Sequence, residues 1–243
     1  MKKEKKPIKF KDVAIVVSCS LVIAISLSVS GIFLFQHFNY TPFWVSGQSM
    51  YPTLNSEAKY ADGTLIGERR TKTFEDGETG VSYGFMETSK KAKSKIKRFD
   101  IIVFEADAQL EQYNIKRVIA LPGETFYIKN TGIGEGDNGD LYIKNASGEF
   151  EYIDQPISTE LIHGGTYYAT NAEPTTLGSD EYFVMGDNRI RDNSYDSRLS
   201  GPVKEDAILG VAKGLNGYAT LGHNKKGEYT VVKVKHFWPR FYK

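Results

Sequence analysis

A mainly β body preceded by one transmembrane helix is the fold class the sequence predicts, on three observations. Residues 13–35 form an uncharged apolar run, short segments rich in β-branched and aromatic residues recur from 99 to 238, and glycine-rich turns separate them. The 243 residues are 40% hydrophobic and 25% charged, which disfavours wholesale disorder, collagen-like repeats and a polytopic membrane protein. A formal net charge of +1 conceals an asymmetry. Six lysines and two acids, Glu4 and Asp12, fall within 1–12, so 36–243 carries 25 basic and 28 acidic residues, a net of −3. Such a body is no basic nucleic-acid binder. The single cysteine, Cys19, cannot form an intramolecular disulfide, so the fold must rest on its core.

The basic leader, 1–12, runs directly into VAIVVSCSLVIAISLSVSGIFLF, from Val13 to Phe35. At about 1.5 Å per residue these 23 residues make a helix of roughly 35 Å, enough to cross a hydrocarbon core of about 30 Å. Its serines are compatible with a span, since a mid-helix hydroxyl can bond a carbonyl one turn back. The positive-inside rule puts the leader in the cytoplasm and the body, 36–243, on the far side of the cell membrane. SVS before Gly31 loosely fits the small-x-small rule of a cleaved signal peptide. The apolar run continues to Phe35, however, beyond the roughly 7–15 residues usual for such a segment, and favours a retained anchor. His37 and Tyr40 suit a membrane–water interface, and Phe43 and Trp44 fit that role or an aromatic start to the soluble core.

Past the anchor, strands are expected at 99–106, 115–122, 125–130, 140–145, 181–186, 207–214 and 229–238. In the last, Val232 and Val234 alternate with Lys233 and Lys235, the period of a half-buried strand. YIKN occurs at 127–130 and again at 142–145, which suits two neighbouring strands of one hairpin better than a true repeat. Residues 67–97 hold 13 charged side chains with little apolar periodicity and read as a solvated loop. The lysines of 90–97 offer that loop a functional alternative, contact with anionic lipid headgroups.

Candidate chemistry narrows by residue type. His37, His163, His223 and His236 are dispersed without ligand spacing, and the one thiol lies in the apolar run, so neither a metal nor a cofactor is expected. The histidines leave a Ser-His-Asp triad open, although no G-x-S-x-G elbow is present. Three segments stand out. In SGQSMYPTL (46–54), Gly47 permits close backbone approach and Pro52 fixes the chain just after Ser49. In NIKRVIALPGE (114–124), Lys116 interrupts an apolar strand and shares a face with Val118 and Ala120; a lysine on an edge strand would instead guard against aggregation. In VMGDNRIRDNSYDSRLSGP (184–202), Asp187, Arg189, Asp192, Asp196 and Arg198 crowd a turn-rich stretch, as salt-bridged loops also do.

Taken in order, the anchor, SGQSMYPTL, RFDIIVF (98–104), KRVIALPGE (116–124) and EYFVMGDNR with SYDSR (181–198) resemble the boxes of bacterial type I signal peptidases, membrane-bound serine–lysine peptidases of the single-anchor, Gram-positive-like form. The resemblance implies a β catalytic core with a smaller inserted β region at about 125–180. It implies Ser49 as nucleophile and Lys116 as general base. Gly47 would lie at the oxyanion site, and Asp187, Ser194, Asp196 and Arg198 would support the lysine and the core. Substrates would be preprotein signal peptides with small residues before the cut, and the partners membrane lipids and, by proximity, the export machinery. No oligomeric state is assigned.

The physics of such a pair is coherent. A lysine near its ordinary pKa of about 10.4 is protonated at neutral pH, and burial against apolar groups is what frees its amine to take the serine proton. Four departures from the family pattern accompany the match. Gly47 stands where some members have a second hydroxyl donor, GDNR and SYDSR lie two residues further apart than usual, Phe99 replaces a common glycine, and Glu124 replaces a common aspartate. Two rival classes fit the residues less well. A penicillin-binding protein would need S-x-x-K, matched by SEAK (56–59) and SKIK (94–97), but its S-D-N and K-T-G partners are missing. A catalytically silent, membrane-anchored binding module would have no use for both Ser49 and Lys116.

Overall fold

The computed structural model describes residues 10–66, 77–107, 112–129, 139–158, 173–190 and 193–242. Most of the basic leader, the turn at 132–138, His163, Arg191, Asp192 and the first part of the charged segment, 67–76, lie outside the described residues. The chain divides into two compact units, 1–40 and 41–243.

The first unit is a single helix, α1 (Phe10–Asn39). Its side chains from Leu21 to Phe38 are exposed and overwhelmingly apolar, and Val17–Asn39 is long and apolar enough to cross a membrane. Ser28 Oγ donates to Ala24 O at 2.8 Å, so this hydroxyl is satisfied within the helix.

The second unit is built on two antiparallel sheets. The larger contains β1 (Tyr40–Trp44), β2 (Val81–Glu87), β3 (Ile101–Asp107), β4 (Gln112–Ala120), β9 (Glu181–Met185), β10 (Val203–Lys204), β11 (Ile208–His223) and β12 (Tyr229–Phe241), in the order β1-β2-β11-β3-β4-β9-β10 with β12 paired to β11. The smaller contains β5 (Thr125–Lys129), β6 (Asp140–Lys144), β7 (Phe150–Ile153) and β8 (Thr175–Thr176), in the order β7-β6-β5-β8. Two single-turn helices, α2 (Lys90–Lys93) and α3 (Ser197–Ser200), complete the named elements used below.

The two YIKN copies do form neighbouring strands: Tyr127 of β5 faces Tyr142 of β6 and the rings stack at 5.0 Å. The solvated-loop reading of 67–97 fails over part of its length. Residues 81–87 are β2, with Val81, Ser82, Gly84 and Met86 buried, and Ser89 caps α2 by accepting from Ala92 N. The alternating apolar and aromatic residues of VSYGFME were diluted by the charges on either side. β11 also runs to His223, well beyond the expected 214, and pairs with β12 over Gly214–His223; a Cβ at Gly217 would lie 2.9 Å from Val234 of β12.

Among the described residues of this unit, four apolar clusters form the core. One joins Ile119, Ala120, Phe183 and Met185 of the large sheet to Phe126, Ile128, Leu141 and Ile143 of the small sheet, with Phe126 and Phe183 in ring contact at 4.7 Å. Another gathers Phe43, Val45, Met50, Leu54, Ile101, Val103 and Ile115. Val45, Met50 and Ile115 are chain neighbours of the segments that carry Ser49 and Lys116, so this packing fixes both from beneath.

Candidate active site

Lys116 lies on β4, which runs between β3 and β9 and is therefore a central strand. That position removes the edge-protection explanation for its charge. Residues 115–120 are all buried, and a bulge between Val118 and Ala120 sends these two side chains into different clusters rather than onto one shared face. Lys116 itself is 3% exposed. Its Nζ donates to Ser49 Oγ at 2.9 Å and to Ile115 O at 3.0 Å.

The turn that presents Ser49 is shaped by its sequence. Gly47 has φ +96°, a region that favours glycine, and a Cβ there would meet nothing within 4 Å, so conformation rather than crowding demands it. Asn55 Nδ2 donates to Val45 O and Gly47 O at 2.8 and 2.7 Å, while its Oδ1 and N–H pair with Ser82 N and Oγ of β2. The Ser49-bearing turn is thereby stitched to the sheet by one asparagine.

From the other side, residues 186–190 and 193–198 pack against the turn. A Cβ on Gly186 would lie 2.3 Å from both Ser49 O and Ser194 Oγ, so only glycine admits this approach. Asp187, fully buried, takes a two-pronged hydrogen bond from Arg117, the residue after the lysine, at 2.8 and 2.6 Å. Asp196 accepts from Ser194 Oγ at 2.6 Å, from Gly186 N at 2.8 Å and from Arg198 Nε and Nη2 at 2.8 Å each. Burial alone would raise the Asp196 pKa, but Arg198, the Gly186 N–H and the Ser194 hydroxyl outweigh it and hold the carboxyl below its ordinary value. Arg189 is fully buried, and burial, reinforced by the nearby Arg198 charge, lowers its pKa to about 10 despite Asp187 and Asp196. It donates to Gly186 O and, across to the segment after β7, to Gln155 Oε1 at 2.7 Å.

The structure thus brings Ser49, Lys116, Gly47, Asp187, Ser194, Asp196 and Arg198 into one neighbourhood, with Ser49 against Lys116 and the others in the surrounding scaffold. Arg117, Asn55, Asn188, Asn193 and Gln48 were not singled out from sequence. Arg117 had a usable signal, a second cation beside Lys116 in an apolar strand. The departures also acquire reasons. Phe99 adopts φ +72°, a left-handed conformation suited to the glycine common at that place. Glu124 reaches back to accept from Arg98 Nη2 and from Leu121 N at 2.7 Å, closing the Pro-Gly turn.

A lysine amine bonded to a serine hydroxyl on a rigid turn is an arrangement suited to serine hydrolase chemistry, and comparison with known proteins gives the class. Residues 15–215 match the family model described as signal peptidase, peptidase S26. The chain belongs to that family of serine peptidases. It is 31% identical over 195 residues to "Signal peptidase I" of Bacillus amyloliquefaciens and to "Signal peptidase I T" of Bacillus subtilis (strain 168), in each case covering 80% of this chain and 80% of the relative. A solved signal peptidase I from Enterococcus faecalis V583 is 29% identical, with a match covering 48% of this chain and 96% of that one at a TM-score of 0.32, too loose an overlap to support a comparison of folds.

Proposed function

We propose that this membrane-anchored peptidase removes N-terminal signal peptides from exported preproteins, with Ser49 as nucleophile and Lys116 as general base. The observation that carries the reading is the 2.9 Å contact between Lys116 Nζ and Ser49 Oγ at a lysine only 3% exposed. With the amine neutral, the polarity of that contact reverses and the serine hydroxyl donates to Nζ.

Ser49 Oγ attacks the scissile carbonyl carbon as its proton passes to Lys116. The Ser49 N–H stabilises the tetrahedral oxyanion. The carbon–nitrogen bond then breaks, Lys116 returns the proton to the leaving amine of the mature protein, and the signal peptide remains esterified to Ser49. Water, deprotonated by the same amine, attacks the ester, and the proton goes back to Ser49 as the acid product leaves. Arg117–Asp187 and Ser194–Asp196–Arg198 act as a charge-balanced frame that holds the lysine strand against the serine turn. Substrates carry small side chains before the cut and bind extended beside a strand edge. The anchor, with its leader in the cytoplasm, tethers the site at the membrane, where lipids and the export machinery deliver preproteins.

The full-length protein in detergent should cut a preprotein carrying an A-x-A site and leave intact the same preprotein with phenylalanine at the last of these positions. Its rate should rise with pH along a basic limb well below that of free lysine. Equal cleavage of both substrates would contradict the specificity, and activity emerging only near pH 10, the range of unperturbed lysine, would contradict the base.

A further inference from the structure

On the reading of Ser49 as nucleophile, this residue serves the reaction through its hydroxyl and its N–H, and the N–H belongs to the Gln48–Ser49 peptide unit. That unit is gripped from outside its own turn. Gln48 O accepts from Asn188 Nδ2 at 3.1 Å, and Ser49 O accepts from Asn188 N at 3.0 Å. Asn188 therefore holds both peptide planes that meet at Ser49. Its own amide is oriented in turn, because Asn188 Oδ1 accepts from Asn193 Nδ2 at 3.3 Å. Asn193 Oδ1 accepts from Gln48 Nε2 at 2.9 Å, which closes a ring through the residue where it began. Gln48, Asn188 and Asn193 are 4%, 1% and 3% exposed, so water competes little for these bonds.

A trans peptide is planar, with its C=O and N–H on opposite sides, so fixing Gln48 O fixes the direction of the Ser49 N–H. The turn needs such a constraint. Gly47, immediately before, has the broad backbone freedom of glycine, and the space where its Cβ would stand is open. Gly47 also has no hydroxyl to offer as a second donor, which leaves more of the oxyanion to the Ser49 amide. We propose that Gln48, Asn188 and Asn193 form a positioning ring that sets the Gln48–Ser49 peptide plane, aiming the Ser49 N–H at the developing oxyanion. A pre-aimed donor acts mainly in the transition state, so its loss lowers kcat and leaves KM nearly unchanged.

The test is a double-mutant cycle on the full-length protein in detergent, using the near-isosteric Gln48→Met, Asn193→Ala and their combination, assayed on a preprotein well below the Tm of each variant. Each single change should lower kcat roughly tenfold with KM within about twofold, and the double variant should be no worse than the poorer single, because either change opens the same ring. Wild-type kcat in Gln48→Met, losses that multiply, or a loss confined to KM would overturn the proposal. Ser49→Ala in the same assay separates the two claims. Residual wild-type cleavage there sinks the nucleophile, whereas a dead Ser49→Ala with a multiplicative cycle sinks only the ring.

Discussion

Asp196 illustrates what a buried carboxylate requires at the scale of one residue. Five N–H and O–H groups donate to it, and those of Arg198, Gly186 and Ser194 hold its pKa down against burial. A carboxyl lowered in the native state stabilises the fold fully above the unfolded value of about 3.9 and loses that contribution as pH falls through it toward the native value. Asp196→Asn should therefore be less stable at pH 7 by about 3–5 kcal/mol, the cost of breaking the buried ion pair with Arg198 by removing one of its charges. Its Tm should also fall less steeply than wild type between about pH 5 and pH 3; parallel Tm profiles would show that Asp196 is not the group responsible. Sequence pointed to Lys116 because it interrupts an apolar strand, and to Asp187, Asp196 and Arg198 because charges crowd one turn-rich stretch. The amides of Gln48, Asn55, Asn188 and Asn193 carry no charge, and the partners Gln48 and Asn193 are separated by 145 positions, so only the folded chain reveals them.

At the scale of elements, the close approach of Gly186 to the Ser49 turn constrains the site. The Cβ of Gly186→Ala would press at 2.3 Å on Ser49 O, so the turn must move, and a shift near 1 Å should reduce kcat roughly a hundredfold. Gly47→Ala meets no atom and instead bears backbone strain of about 1–2 kcal/mol, so it should lose stability more than rate. Measuring kcat and Tm for both variants checks this; matched kcat losses in the two would contradict the crowding account. Strands β3, β4, β5, β6, β9 and β12 were legible because each is rich in β-branched and aromatic residues, in β12 alternating with lysines. β2 was not, since its burial depends on pairing with β11, more than a hundred residues away in sequence.

For the whole molecule, the near-neutral total charge divides into a lysine-rich leader, an uncharged helix and a slightly acidic β-rich body. From that division the positive-inside rule leads us to propose a cytoplasmic leader and a body on the far side of the membrane. In a Cys19→Ser background, a membrane-impermeant thiol reagent applied to intact cells should label Ser94→Cys, at an exposed site after α2, and leave Lys3→Cys unmodified. The reverse pattern would place the body in the cytoplasm. The central claim is that Ser49 and Lys116 together form the catalytic pair, and alanine replacement addresses it most directly. Ser49→Ala and Lys116→Ala, each purified in detergent with a wild-type-like thermal unfolding transition, should show no detectable preprotein cleavage, whereas near-normal cleavage by either folded variant would contradict the account.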